Sequence, residues 1–148
     1  FTVKAIHRKD HYRRLEFIHG EPVAKRLYIR DRLYCFFNEA MPNYVQCEGP
    51  YMGSFIKTFA SLTSCVESVA REALIQYNSE IPMDIQEPMR IKKRIGVNLK
   101  GQGKGDKEGV RKALAKRDDL IWKVDLNILD EHSVDAVAVA LYHLLDVI

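Results

Sequence analysis

The segment between Tyr44 and Ile85 constrains the fold of this chain more than any other. Tyr44-Val45-Gln46-Cys47-Glu48 reads as a short strand, closed by Gly49-Pro50. A long helix is predicted from about Ser54 to Tyr77, with Phe55, Phe59, Leu62, Val66, Val69, Ala73 and Leu74 as its apolar stripe. A second strand follows at Ile81–Ile85. A strand, a long helix and a strand in succession call for a crossover connection, and therefore a parallel strand pair. With 148 residues, 47% of them hydrophobic, the chain is large enough for one core, and it is read as a single domain.

The flanking segments extend this unit into a mixed α/β sheet covered by helices. Residues 1–9 and 13–19 contain Thr2, Val3, Ile6, Leu15, Phe17 and Ile18, which favour strands, and Lys9-Asp10-His11 between them suits a turn. An antiparallel hairpin is the expectation. Glu21-Pro22 opens a helix in which Val23, Leu27, Arg30, Leu33, Tyr34 and Phe37 recur at helical spacing, ending near Met41-Pro42-Asn43. Pro88–Lys93 is read as a short helix. After the glycine-rich loop Lys100–Gly105, Asp106 is a suitable N-cap for a helix over Lys107–Arg117. Residues 118–129 carry no clear pattern, although Trp122 and Leu126 are core candidates. Asp130 caps a last helix whose buried face is Val134, Val137, Ala138, Leu141 and Leu144.

Charge is segregated. Arg90–Arg117 holds eleven Lys and Arg against two acids, whereas residues from Asp118 onward hold seven acids and one Lys. A basic block of this kind suits a polyanion, and it also suits a solvated helical face. Cys35, Cys47 and Cys65 form no CxxC pair, so a zinc ribbon or disulfide framework is not indicated; buried free thiols in a reducing, intracellular compartment are expected. No apolar run approaches the ~20 residues of a membrane span. The chain starts without Met in what reads as a strand, which suggests that the natural chain extends upstream.

Three residues have the chemistry of a metal site. Glu48 ends a strand, and the carboxyl ends of parallel strands are where α/β proteins place their sites. His132 and Asp135 stand at i and i+3 at the start of an otherwise apolar helix, and so share a face. Singly, each has an ordinary explanation as a strand-edge acid, a cap-region histidine or a first-turn acid. Gly101-Gln102-Gly103 is neither a P-loop nor a dinucleotide fingerprint, but a Gly/Lys loop before a helix can cradle phosphate.

In order, Val45-Gln46-Cys47-Glu48-Gly49-Pro50-Tyr51-Met52-Gly53, Gly101-Gln102-Gly103-Lys104-Gly105-Asp106-Lys107-Glu108-Gly109-Val110 and His132-Ser133-Val134-Asp135-Ala136-Val137-Ala138-Val139-Ala140 resemble the RuvC family of Holliday-junction resolvases. The resemblance runs from about Val45 to the end. It implies an RNase H-like fold and hydrolysis of branched DNA with Mg²⁺ or Mn²⁺, two ions in all, by a homodimer acting on a two-fold symmetric four-way junction. A branch-migration helicase is a possible further partner, and the compartment implied is the cytoplasm, of a phage host if the chain is phage-encoded. By this resemblance Glu48, His132 and Asp135 are metal ligands, with His132 where many members have Asp. Lys107 matches a lysine near the scissile phosphate, and Tyr51 an aromatic that stacks at the junction centre. Lys93, Arg94, Lys104 and Arg111 join Lys107 as DNA contacts. The family's first acid, in a first-strand GIDPG-like motif, is absent from this sequence; on this reading the strand lies upstream of Phe1. The apolar helix start around Phe55, Ile56 and Phe59 is the candidate dimer face. A less selective branched-DNA nuclease and a catalytically inactive DNA-binding module are the alternatives.

Overall fold

A computed structural model describes residues 10–50, 56–97 and 107–147. The element order is α1 (Asp10–His19), α2 (Glu21–Ala40), β1 (Val45–Glu48), α3 (Ile56–Ser64), a π-helical segment (Cys65–Ala70), α4 (Arg71–Tyr77), β2 (Met83–Gln86), α5 (Pro88–Arg94), α6 (Lys107–Ala115) and α7 (Glu131–Val147). Helices dominate, and the sheet among the described residues is a two-stranded parallel pair, β1 beside β2.

This corrects the expectation of an RNase H-like mixed sheet flanked by helices. The parallel pair and its helical crossover are present, but the antiparallel hairpin expected to widen the sheet is not. Residues 13–19 lie in helix α1 instead, and residues 1–9 lie outside the described residues. Two physical causes favour the helix. Tyr12 and Leu15 stand three apart and pack on Ala24, Leu27 and Tyr28 of α2, a contact that strand spacing cannot make. Gly20, at φ 84° and ψ 158°, then stops the helix, and its N–H donates to the Glu16 carbonyl (2.8 Å). The β-favouring Phe17 and Ile18 are left facing solvent; the burial of Tyr12 outweighs their propensity.

The chain divides into two compact units, one of residues up to Val45 together with Gly49–Asp84, the other of Gln46–Glu48 with Ile85–Ile148. In the first unit, α2 packs on α1, on the π-helical segment and on α4. Phe37, Ala73 and Leu74 are buried against Leu33, Tyr34, Val45, Tyr77, Ile81 and Met83. Pro22 falls in the first turn of α2, where its missing N–H costs nothing. Met41, in left-handed conformation (φ 46°, ψ 56°), ends α2 with its N–H on the Phe37 carbonyl. Within the described residues, 56–77 of the long helix predicted over 54–77 are helical, interrupted by the π-helical segment. Each π turn carries an extra residue and so rotates the face beyond it. Leu62, before the segment, is exposed, whereas Val69, Ala73 and Leu74, within or after it, are buried.

In the second unit, α5 and α6 each pack on α7. Ile91, Ile95, Val110, Leu114, Leu126, Val134, Ala138 and Leu141 share one core. Asp130 caps α7 as the sequence suggests, its carboxylate accepting the Ser133 N–H (2.8 Å). Leu126 is buried as expected, whereas Leu144 is exposed. Arg111 donates to the carbonyls of Leu126 and Leu129, holding the irregular 118–129 stretch on α6. The cysteines form no disulfide; against the expectation of buried thiols, Cys35 is exposed and Cys47 and Cys65 are half-buried. Cys35 sits on α2 beside Phe36, which also faces solvent, away from Phe37 in the core.

Candidate carboxylate site

The parallel pair places Glu48 at the carboxyl end of β1, among the residues of the second unit. There it is half-buried, like Asp135 in the second turn of α7. Burial of Val134 and Ala138 in the core fixes the face of α7 from which Asp135 projects. Burial, first, and the Asp135 carboxylate, second, push the Glu48 carboxyl above the usual carboxylate range; the nearby Lys92 ammonium partly offsets them. The fold therefore brings together two acids that are remote in sequence. Their like charges oppose each other.

His132 is placed differently. It is exposed in the first turn of α7. Its backbone N–H donates to the Asp130 carboxylate, and its charge acts on that same group. Hydrogen bonds from Ser133 and His132 hold the Asp130 carboxyl below its ordinary value. Among the described residues no group of three or more His, Cys, Asp or Glu side chains is arranged to hold a metal ion. Of the expected trio, Glu48 and Asp135 act on each other electrostatically, and His132 stands at the helix cap beside Asp130. A pair still fits one hard divalent cation: Mg²⁺ is commonly held by one or two carboxylates, with water and substrate phosphate filling its other positions. Glu48 and Asp135 are the residues that would hold it.

The basic residues divide by geometry. Arg94 donates to the Leu145 carbonyl and pairs with Asp146 (3.6 Å), at the C-terminal end of α7 where a cation is favourable. Arg111 is bonded to backbone carbonyls and lies 3.8 Å from Glu108. Both arginines, expected on DNA, therefore have structural partners within the unit. Lys93 is exposed on α5. Lys107 opens α6. Tyr51, Lys104 and the glycine-rich loop lie outside the described residues, as do Asp106 and Phe55.

Lys92 was not singled out by the sequence. It is one of eleven basic residues in its block and belongs to none of the three motif segments. The available signal was its place on α5: it follows the buried Ile91 in the short helix that leaves β2, the strand paired with the one that ends in Glu48. Among the described residues no helix is long and apolar enough to cross a membrane. No protein-family model matches this chain, and no curated protein matches it.

Proposed function

We propose that this chain is a metal-dependent, structure-selective endodeoxyribonuclease acting on four-way junctions or other branched DNA. The observation that carries the reading is the electrostatic opposition of Glu48 and Asp135 at the end of a parallel strand. A half-buried acid whose proton affinity is raised by burial and by a second carboxylate is suited to holding a cation. The motif segments around Glu48, Lys107 and Asp135 resemble those of the RuvC resolvases, which supplies the substrate class. The reading rests on these residues and not on the shape of the sheet.

Bound Mg²⁺ or Mn²⁺ would activate a water and neutralise charge developing on the phosphate. The chain's own part is to hold that ion through Glu48 and Asp135 and to grip the DNA backbone through lysines. Lys93 on α5 and Lys107 at the start of α6 are the described candidates, with Lys104 and Tyr51 supplied by the sequence motif. His132, beside Asp130 at the helix cap, is suited to orienting a water or a phosphate from outside the carboxylate pair. A homodimer would match the two-fold symmetry of a four-way junction. A reducing, DNA-containing compartment such as the cytoplasm suits both the free thiols and this activity.

The test is cleavage of a labelled four-way junction, a fork and a linear duplex by wild type, Glu48→Gln and Asp135→Asn in Mg²⁺ or Mn²⁺. Wild type should cut branched DNA in preference to duplex. Each variant should bind the junction yet cut it at least roughly 100-fold more slowly, the scale expected when a catalytic ion is lost. Unchanged cutting by either variant contradicts the reading. Junction binding with no cutting by wild type would favour the inactive DNA-binding module.

A further inference from the structure

The groove between α2 and the helix that carries the π-helical segment lies wholly within the first unit and shares no residue with the carboxylate site. Arg30 falls in a series along α2 whose other members Leu27, Leu33 and Phe37 pack in the cores of that unit. A charged side chain in such a series needs a polar setting. It lines a cavity of about 330 Å³ together with Arg26, one turn before it. Val23, Leu27 and Val69 give the cavity an apolar wall, and Ser64, Ser68 and Glu72 line it from the other helix. Packed helices ordinarily close such a groove with interdigitated side chains. Here two short serines stand across from two long arginines, and a cavity is left. Ser64 immediately precedes the π-helical segment, Ser68 lies within it and Glu72 follows it. Interruptions of this kind are frequent at functional sites.

Both guanidinium groups are anchored. Arg26 Nη1 donates to Ser64 Oγ (3.3 Å). Arg30 donates to Asp31 Oδ1 through Nε (3.2 Å) and Nη2 (3.0 Å). Asp31 is fixed in turn, because its Oδ2 accepts the Tyr12 hydroxyl (2.7 Å) and Tyr12 is buried against Ala24. One guanidinium is thus tied to the α1–α2 core, and the other to the facing helix.

We propose that this groove binds a small phosphate monoester bearing hydroxyl groups, the chemistry that a mononucleotide presents, with its phosphate on Arg26 and Arg30 and its hydroxyls on Glu72. Two arginines are the donors best matched to a phosphate, and the Ser64 and Ser68 hydroxyls add to them. The volume stands at the low end of small-molecule sites, roughly 300–1,000 Å³, and leaves space beyond a phosphate for an organic group on the apolar wall. Glu72 repels an anion but accepts hydrogen bonds from hydroxyls, which is why the ligand carries both kinds of group. A free mononucleotide and the phosphorylated end of a nucleic-acid strand offer the same chemistry. The proposal does not rest on the nuclease reading.

The test is calorimetry on the full chain with AMP, adenosine and inorganic phosphate. AMP should bind, inorganic phosphate at least roughly ten-fold more weakly, and adenosine not at all. Arg26→Gln and Arg30→Gln should each weaken AMP roughly ten-fold or more, through loss of a charge-assisted pair. Arg30→Gln also breaks the Asp31 contact; if it folds poorly, Arg26→Gln, at an exposed position, carries the test, with melting temperature as the check on folding. Glu72→Gln should bind inorganic phosphate at least as well as wild type while narrowing the preference for AMP over phosphate, a pattern that a merely cationic surface does not give. No binding of AMP by wild type, equal binding of AMP and adenosine, or unchanged AMP binding by folded Arg26→Gln overturns the proposal. Competition then separates the two sources. Displacement of AMP by a single-stranded oligonucleotide with a terminal phosphate, but not by the same strand with a terminal hydroxyl, assigns the site to strand ends; displacement by neither assigns it to the free mononucleotide. Equal displacement by both strands is general polyanion attraction and overturns the proposal.

Discussion

Glu48 is a carboxylate held where its charge is costly. Its carboxyl is raised above the ordinary range by burial and then by Asp135. An acid whose folded pKa exceeds its unfolded one favours the folded state at low pH, and that contribution is lost as pH rises through the folded value. In metal-free protein, Glu48→Gln should therefore melt at a higher temperature than wild type near neutral pH. Below the usual carboxylate range, where Glu48 is protonated in folded and unfolded chains alike, the difference should vanish. Melting temperature against pH for both proteins checks this, and a difference independent of pH would count against a strained carboxylate. Both acids were legible in the sequence because their positions are local facts: one ends a strand, the other stands near the start of an apolar helix. Lys92 was not, because what distinguishes it is a half-buried place beside residues distant in sequence. His132 shares a face with Asp135 by spacing, but spacing does not reveal that His132 is exposed while Asp135 is half-buried.

At the scale of elements, helix ends decide the outcome more than propensities do. Gly20 joins α1 to α2 at φ 84° and ψ 158°, a region essentially reserved for glycine. A Cβ there would meet Pro22 Cδ at 3.8 Å, an ordinary contact, so the cost of a side chain is backbone strain alone. Gly20→Ala should destabilise the protein by roughly 1–3 kcal/mol, read from the denaturant midpoint. The converse change at Met41, which is left-handed without being glycine, should be neutral or stabilising, by up to about 1 kcal/mol. A Gly20→Ala protein as stable as wild type would mean that α1 and α2 are not joined in this way. Most other elements followed from the sequence. Pro22 and Pro88 mark the starts of α2 and α5, Asp130 caps α7, and the crossover from β1 to β2 was implied by their order. The first helix did not follow, since Leu15, Phe17 and Ile18 read as strand until Tyr12 is seen packed on Ala24. Nor did the π-helical segment, because an inserted residue leaves hydrophobic spacing nearly intact while changing what it faces.

At the scale of the molecule, helices rather than an extended sheet organise the two units. Four-residue strands in a single pair offer little sheet for helices to cover. The segregated charge also gains a partly internal explanation. The basic block and the acidic segment after it belong to the same unit. Arg94 pairs with Asp146, Arg117 bonds Asp119, and Arg111 binds carbonyls of the acidic segment. Part of what reads as polyanion affinity is thus consumed in holding the unit together, which leaves the lysines and the exposed Arg90 as the cations suited to a phosphate backbone. The functional reading depends on whether Glu48 and Asp135, which approach each other only through the fold, act as one cation site. Mn²⁺ titration of wild type, Glu48→Gln, Asp135→Asn and the double variant tests this most directly. If the pair is one site, either substitution removes most of the binding and the double variant loses little more. If each variant binds Mn²⁺ as wild type does, or if the two losses simply add, Glu48 and Asp135 do not share an ion and the account fails.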